Sequence, residues 1–332
     1  MDSADKGDSM LHVTPSVWLT IGALCLGITG APVASAQEYP SKTVRIVVGN
    51  APGTGADLLG RILSPEMSKR LGQPVIMDNR PGAGGIIGYE YVAKQAPADG
   101  YTLAVVPVAA MASLAVSVKD LRFDPLRDLV PVMNFVDGRF ILASPVVAPW
   151  KSLPEMIAYA KANPGKLNYG SSIPLVRLTT EALLRAAGIQ VTHVPYKDGA
   201  IYSTGLGTNE VQMGFINETQ VMGLGDKIRV LGVTGDQRLA PFLDAPTFKS
   251  IGYPQIPSLT FSLSVRAGTP KPVMDKLHAT MVATMKLPEV QAQFAKLKFD
   301  TIVQSQEDAV KSLADTGRLI AEIAKSIGLE PQ

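Results

Sequence analysis

The sequence predicts an α/β fold in two lobes, each a mostly parallel sheet flanked by helices. Three observations point there. At 332 residues the chain is longer than one simple core organises, so two domains are expected. Apolar residues make up 46% of it and aromatics only 6%, while 30 glycines and 25 prolines supply many short turns. Short β-branched runs alternate with apolar-periodic helical segments, the rhythm of βαβ units, whose ligands sit at the carboxyl ends of the strands.

The first 36 residues stand outside that fold. Val17 to Gly30 is apolar, and Ala34-Ser35-Ala36 before Gln37 has the small-x-small pattern of a signal-peptidase site. Export, cleavage after Ala36 and a periplasmic location are the expectation. A retained membrane anchor would need ~20 apolar residues and flanking cations, which this segment lacks. Its start is unusual, with Asp2, Asp5 and Asp8 against Lys6; translation from Met10 would remove those acids. Cys25, the only cysteine, lies inside the leader behind Leu24, where a lipobox would want glycine or alanine, so the mature chain carries no thiol. Without the leader 30 basic and 26 acidic residues remain, a net charge of about +4. No basic stripe or acidic tail is present, which argues against nucleic acid as a partner.

Within the mature chain, Val44 and Ile46 to Val48 form the first strand. The chain turns through Asn50-Ala51-Pro52-Gly53-Thr54-Gly55 into a helix marked by Leu58, Leu59, Ile62, Leu63 and Met67. A strand opening through glycines into a helix leaves unpaired N–H groups facing one point, and the helix dipole adds positive charge there. Such a point suits a carboxylate, and Gly53 and Gly55 would let the backbone approach it. An ordinary tight βα connection without a ligand would read the same way.

Pro74 to Met77 is a second strand, leading into Asn79-Arg80-Pro81-Gly82-Ala83-Gly84-Gly85 and a helix through Tyr91 to Ala93. As a dinucleotide fingerprint it fails: Ile87 stands where the third glycine belongs, and no acid falls between Thr102 and Val106. A second glycine turn lining the same crevice fits better. Tyr101 to Val106 is a third strand, Phe123 to Leu129 a surface loop, and strands follow near 130–136 and 139–145. Ser152 caps a helix with Pro154 in its first turn and Glu155 three residues on, ending at Asn163-Pro164-Gly165. Strands at 167–170, 191–194, 211–216 and 228–233 alternate with helices through Leu178 to Leu184 and after Lys197. From Lys271 the chain is mostly helical, broken at Leu287-Pro288, with a short strand near 301–303 and a final helix from about Ser305 to Ile327. Folding those helices back on the first domain gives lobe 1 from 37–138 and 262–332, and lobe 2 from 139–261.

Several ordered blocks carry a family resemblance: Tyr39-Pro40-Ser41-Lys42, Ala51-Pro52-Gly53-x-Gly55-x-Asp57, Leu71-Gly72-Gln73-Pro74-Val75, Asn79-Arg80-Pro81-Gly82-Ala83-Gly84-Gly85, Asp99-Gly100-Tyr101-Thr102-Leu103, Ala162-Asn163-Pro164-Gly165-Lys166-Leu167, His193-Val194-Pro195-Tyr196-Lys197 and Ala267-Gly268-Thr269-Pro270. Together they resemble the substrate-binding proteins of tripartite tricarboxylate transporters, the Bug or TctC-like family, across essentially the whole mature chain. The resemblance implies a periplasmic-binding-protein-like fold of type II. It also implies a monomer that closes over a small carboxylated solute and delivers it to a membrane permease, without cofactor or metal. The family holds the carboxylate by backbone amides of βα loops, which implies Pro52, Gly53, Thr54, Gly55, Asp57, Gly84 and Gly85 in lobe 1, and Ser171, Ser172, Arg177, Ile216 and Asn217 in lobe 2.

Lobe 2 departs from the family pattern. Ser171-Ser172 runs into Ile173-Pro174-Leu175-Val176-Arg177, so the glycine-rich loop is shortened and its glycines are gone. Ile216 stands where the family commonly has aspartate, which removes a partner for a ligand amine. Ile173, Leu175, Val176 and Ile216 would make this wall apolar, suiting a carboxylate with a hydrophobic or aromatic body, and the expected ligand is a small di- or aromatic carboxylate. Arg177 offers a clamp for a second carboxylate, or else is a solvated arginine on the outer helix face.

Catalysis lacks its components. His12 lies in the leader, His193 reads as a structural hydrogen-bonding residue and His278 as surface, and no His-x-x-x-His, Cys-x-x-Cys or Gly-x-Ser-x-Gly occurs. Asp57, Asp78 and Asp99 are separate turn or cap residues, not an acid/base pair. A sensory protein presenting its solute to a membrane receptor needs the same closing cleft and is the alternative to uptake.

Overall fold

The computed structural model describes residues 39–235, 238, 242–253 and 256–331. The leader, with His12, Cys25 and the cleavage site, lies outside the described residues.

The chain first lays down β1 (Val44–Val48), α1 (Gly55–Leu71), β2 (Val75–Asn79), α2 (Ile86–Glu90), β3 (Thr102–Pro107), α3 (Val108–Ser117) and β4 (Leu129–Gly138). Val44 and Ile46 to Val48 have no exposed surface, as a β-branched run in a sheet covered on both faces should. Gly72 in the left-handed region closes α1, its N–H bonding the Ser68 carbonyl.

A crossover then enters the second lobe: β5 (Ile141–Pro145), α4 (Leu153–Ala162), β6 (Asn168–Ser171), α5 (Pro174–Ala187), β7 (Thr192–Pro195), α6 (Gly199–Gly207), β8 (Gly214–Ile216), α7 (Glu218–Leu224) and β9 (Ile228–Val233). Ser152 caps α4, accepting from the Glu155 N–H as its spacing predicts. The chain returns as β10 (Leu259–Arg266), α8 (Lys271–Met285), α9 (Pro288–Lys296), β11 (Asp300–Thr301) and α10 (Gln306–Ser326).

One sheet has six strands in the order β11-β4-β10-β3-β1-β2. A three-stranded sheet, β8-β5-β9, and a parallel pair, β6-β7, form the other, tied by a bridge from Tyr169 to Met213 and by the Gln212 N–H on the Asn168 carbonyl. The sheets are mixed where the sequence reads as mostly parallel. β1 pairs parallel with β2 and β3, but β10 runs antiparallel to both β3 and β4, and β5 to both β8 and β9. The reason is the connectivity: β4 carries the chain out of the first sheet and β10 brings it back.

The two crossovers are fastened to each other. Phe140 donates its N–H to Thr234 Oγ1 at 2.8 Å, and the Thr234 N–H returns to the Phe140 carbonyl at 2.9 Å. Buried Arg139 pairs with Asp300, and Asp137 accepts the hydroxyls of Ser258 and Thr260. α3 is an element that sequence periodicity did not reveal. Its run Val-Ala-Ala-Met-Ala-Ser-Leu-Ala-Val-Ser is apolar on all sides, because α10 packs on it and its alanines join the core of the second lobe.

Candidate functional site

A cavity of about 550 Å³ lies between the two sheets. The first sheet's side contributes Asn50, Gly53 to Ala56, Gly84, Tyr89, the start of α3, Phe261 and Phe299. The opposite wall is Phe140, Ser172 to Val176, Gly199 and Phe215 to Glu218. A larger hollow of about 710 Å³ between α1 and α9 is an open depression rimmed by Arg61, Glu289, Gln293 and Lys296.

Helix N-termini converge on the inner cavity. α1, α3 and α5 begin at Thr54, Pro107 and Ile173 with no side-chain cap, so their positive dipole ends lie at the cleft, that of α1 partly offset by Asp57 in its first turn. Pro174 opens α5 and has no N–H to offer. α6 and α7 satisfy themselves: Asp198 accepts from the Ala200 and Ile201 N–H groups, and Asn217 forms a capping box with Gln220. No lysine, arginine or histidine lines the cleft among the described residues.

Lobe 1's predicted residues divide into two sets. Gly53, Thr54, Gly55 and Gly84 line the cleft. Pro52 and Gly85 do not: the Gly85 N–H bonds the Gly82 carbonyl, and a Cβ on Gly49 would lie 2.8 Å from the Gly85 backbone. Gly85 is glycine because its φ is +99° and a Cβ there would stand 2.6 Å from the Tyr89 ring. Asp57 sits behind the loop, 1% exposed, and corrects its assignment as a ligand contact. Its carboxylate accepts from the Gly53 N–H at 2.8 Å, Arg61 Nε at 2.8 Å and Asn79 Nδ2 at 3.0 Å. Burial pushes the Asp57 pKa up, but the bonds from Arg61, Gly53 and Asn79 together outweigh it and leave it lowered. The Gly53 amide is therefore spent within the loop.

In lobe 2, Ser172, Ile216 and Asn217 line the cleft, with Ile173, Leu175 and Val176 making the apolar wall beside them. Ser171 is buried and hydrogen-bonds His193 Nε2 at 2.7 Å, outside the cleft. Arg177 lies outside it too, at the back of β6, where its charge acts on His193 and Tyr169. It is half-buried rather than fully solvated. His193 is structural as expected, its ring against Tyr169 and its pKa lowered by burial and by Arg177. His278 is anchored, not merely surface, with Nε2 3.0 Å from the Gln304 carbonyl oxygen.

Sequence reasoning missed Glu218. With Ile216 in place of aspartate, this wall reads as free of acids, yet Glu218 two residues later brings a carboxyl to the cleft. Burial pushes its pKa up to about 7 against the pull of nearby N–H groups and of Arg139. The signal was its place directly after the Asn217 cap, at the end of a strand. The aromatic members Phe140, Phe261 and Phe299 were also unseen, since they come from distant elements.

Comparison with known proteins agrees with this architecture. A model of the tripartite tricarboxylate transporter family receptor matches residues 59–329. The chain is 32% identical to a UPF0065 protein of Cupriavidus necator from the gbd 5' region, over 96% of this chain and 98% of that one. Among solved structures, R. palustris Rpa4515 with adipate superposes with a TM-score of 0.74 at 27% identity, covering 89% of this chain and all of that one. The periplasmic binding protein BugD gives 0.70 at 26%, with the same coverage.

Proposed function

Because this chain belongs to the tripartite tricarboxylate transporter family receptors, whose members bind substrates and are not enzymes, we propose that it captures a small organic carboxylate between its lobes and delivers it to a membrane permease of the tripartite tricarboxylate type. The observation that carries this reading is the cleft itself: three helix N-termini without a side-chain cap converge on a cavity that no basic side chain among the described residues lines. Partial positive charge from aligned peptides stabilises an anion without a fixed counter-ion.

In this reading the ligand's carboxylate meets the amides of Gly55 and Ala56, with Gly53, Thr54 and Gly84 shaping the approach. Ser172 and Asn217 face it from lobe 2, and Ile173, Leu175, Val176 and Ile216 cover an aliphatic or aromatic body. About 550 Å³ is within the usual range for a small solute. The adipate held by Rpa4515 is a solute of this class. Lobe 1 is taken as 37–138 with 262–332 and lobe 2 as 139–261, hinged at the Phe140–Thr234 bonds, and the protein acts as a monomer. Among the described residues no helix is long and apolar enough to cross a membrane. Export to the periplasm rests on the leader and its Ala36 cleavage site.

A thermal-shift series with aliphatic dicarboxylates, tricarboxylates, aromatic acids and amino acids tests the proposal, since a ligand that selects the closed form raises the melting temperature. Dicarboxylates or aromatic acids should stabilise the protein. Stabilisation by none of the acids would refute it, and stabilisation by amino acids alone would refute the assigned ligand class.

A further inference from the structure

Glu218 is the one carboxyl among the described residues lining the cleft. Its Oε1 is buried and has no hydrogen-bond partner in the protein. An ionised carboxylate with a bare buried oxygen is costly, and the same group protonated carries an O–H that needs an acceptor. No lysine or arginine of the cleft offers itself to a second negative charge on a ligand. A neutral acid facing a carboxylate resolves both problems in one short, charge-assisted hydrogen bond.

Resting on the carboxylate-binding function proposed above, we propose that protonated Glu218 is the specificity-determining donor to the second carboxylate of a dicarboxylate, so that the solute binds together with one proton. The Glu218 O–H bond stays intact and its proton is shared with the ligand oxygen. A protein that starts with Glu218 ionised must take that proton from solution. Burial raises the Glu218 pKa to about 7, so the requirement falls in the neutral range.

The charged groups around it leave that titration to Glu218. Arg139, from the β4–β5 crossover, acts on it directly and is itself paired with Asp300 of β11. Asp198 of α6 is engaged in capping Ala200 and Ile201. His193 of β7 is bonded to Ser171 and lowered from its ordinary value, so it stays neutral above pH 7.

Calorimetric titration of the purified full-length mature protein with adipate, hexanoate and 6-aminohexanoate between pH 6.5 and 8.5 tests the proposal. Adipate affinity should fall toward tenfold per pH unit above about pH 7, with nearly one proton taken up per ligand, while hexanoate affinity stays flat. Glu218→Gln keeps a donor that cannot titrate. It should bind adipate at pH 8.5 about as well as the unaltered protein does at pH 6.5. Glu218→Ala should lose tenfold or more for adipate at pH 6.5, and clearly less for hexanoate, which has no second carboxylate. Equal pH responses for adipate and hexanoate would overturn the inference while leaving the carboxylate function standing. So would preferential binding of 6-aminohexanoate that tightens as pH rises, because Glu218 would then act as an anion. Failure of all three probes at every pH would overturn the inference and the function together.

Discussion

The Asp57 carboxylate accepts the main-chain N–H of Gly53 at 2.8 Å, four residues back and across the mouth of α1. Its other oxygen takes Asn79 Nδ2, which also reaches the Asn50 carbonyl at 3.1 Å. Three segments of the cleft floor therefore hang on one buried acid. Asp57→Ala should cost about 1–3 kcal/mol of stability, the scale for hydrogen bonds to a charged group. Carboxylate affinity should fall about tenfold as the loop loses its fixed shape. Denaturant melts and calorimetry measure the two effects, and an unchanged affinity would show that the loop is held by other means.

The same acid sets an acid limit. Asp57 has a folded pKa below its ordinary 3.8, and so has Asp128, where burial is outweighed by Lys94 and the Asp124 N–H. A lowered carboxylate stabilises above the unfolded value, and that contribution is lost as pH falls through the folded one. The melting temperature should drop below about pH 4, less steeply in Asp57→Asn. Glu218 has the opposite sign: its folded pKa of about 7 lies above the ordinary 4.5. The stability it withholds at high pH should return between pH 7 and 4.5, and that rise should vanish in Glu218→Gln. Melts across pH for the three proteins check both slopes.

Gly53 and Gly84 have φ of +83° and +67°, with open space where a Cβ would stand. Gly53→Leu and Gly84→Leu should cost about 1 kcal/mol each from backbone strain. Their side chains would occupy the mouth of the cleft, so ligand-induced stabilisation should disappear from a still-folded protein. Retained thermal shifts in both variants would place the ligand elsewhere.

Ile173 is 50% exposed and lines the cleft. Ile173→Ala, which adds no side-chain cap to α5, should leave the stability within about 0.5 kcal/mol of the original. Affinity for a carboxylate with an apolar body should weaken roughly three- to tenfold, the worth of the lost buried methyl groups. An isothermal titration with one aromatic and one short polar acid separates this from a general loss, since only the aromatic acid should suffer.

Much of this was legible along the chain because its causes are local. β1 and β9 declare themselves by β-branched runs, α4 by its Ser152 cap and Pro154, and α1 by its glycine turn and periodic leucines. Motif matching also singled out Asp57 and Asn79, but not the direction they face. An aspartate beside an anion site reads as a ligand contact until its hydrogen bonds show that it points away. α3 escaped because its run, apolar but for two serines, has no charged face to set a period.

The sequence by itself determined the two-lobed α/β class, the family and the turn from which the α1 amides emerge, since propensity, capping and glycine placement act over a few residues. Only the tertiary structure decided that β10 returns antiparallel, that Arg177 turns away from the cleft and that Glu218 turns into it. The pKa of Glu218 is set by the wall that desolvates it and by Arg139, in the β4–β5 crossover. Desolvation and charge act through space, and along the chain those neighbours are far apart.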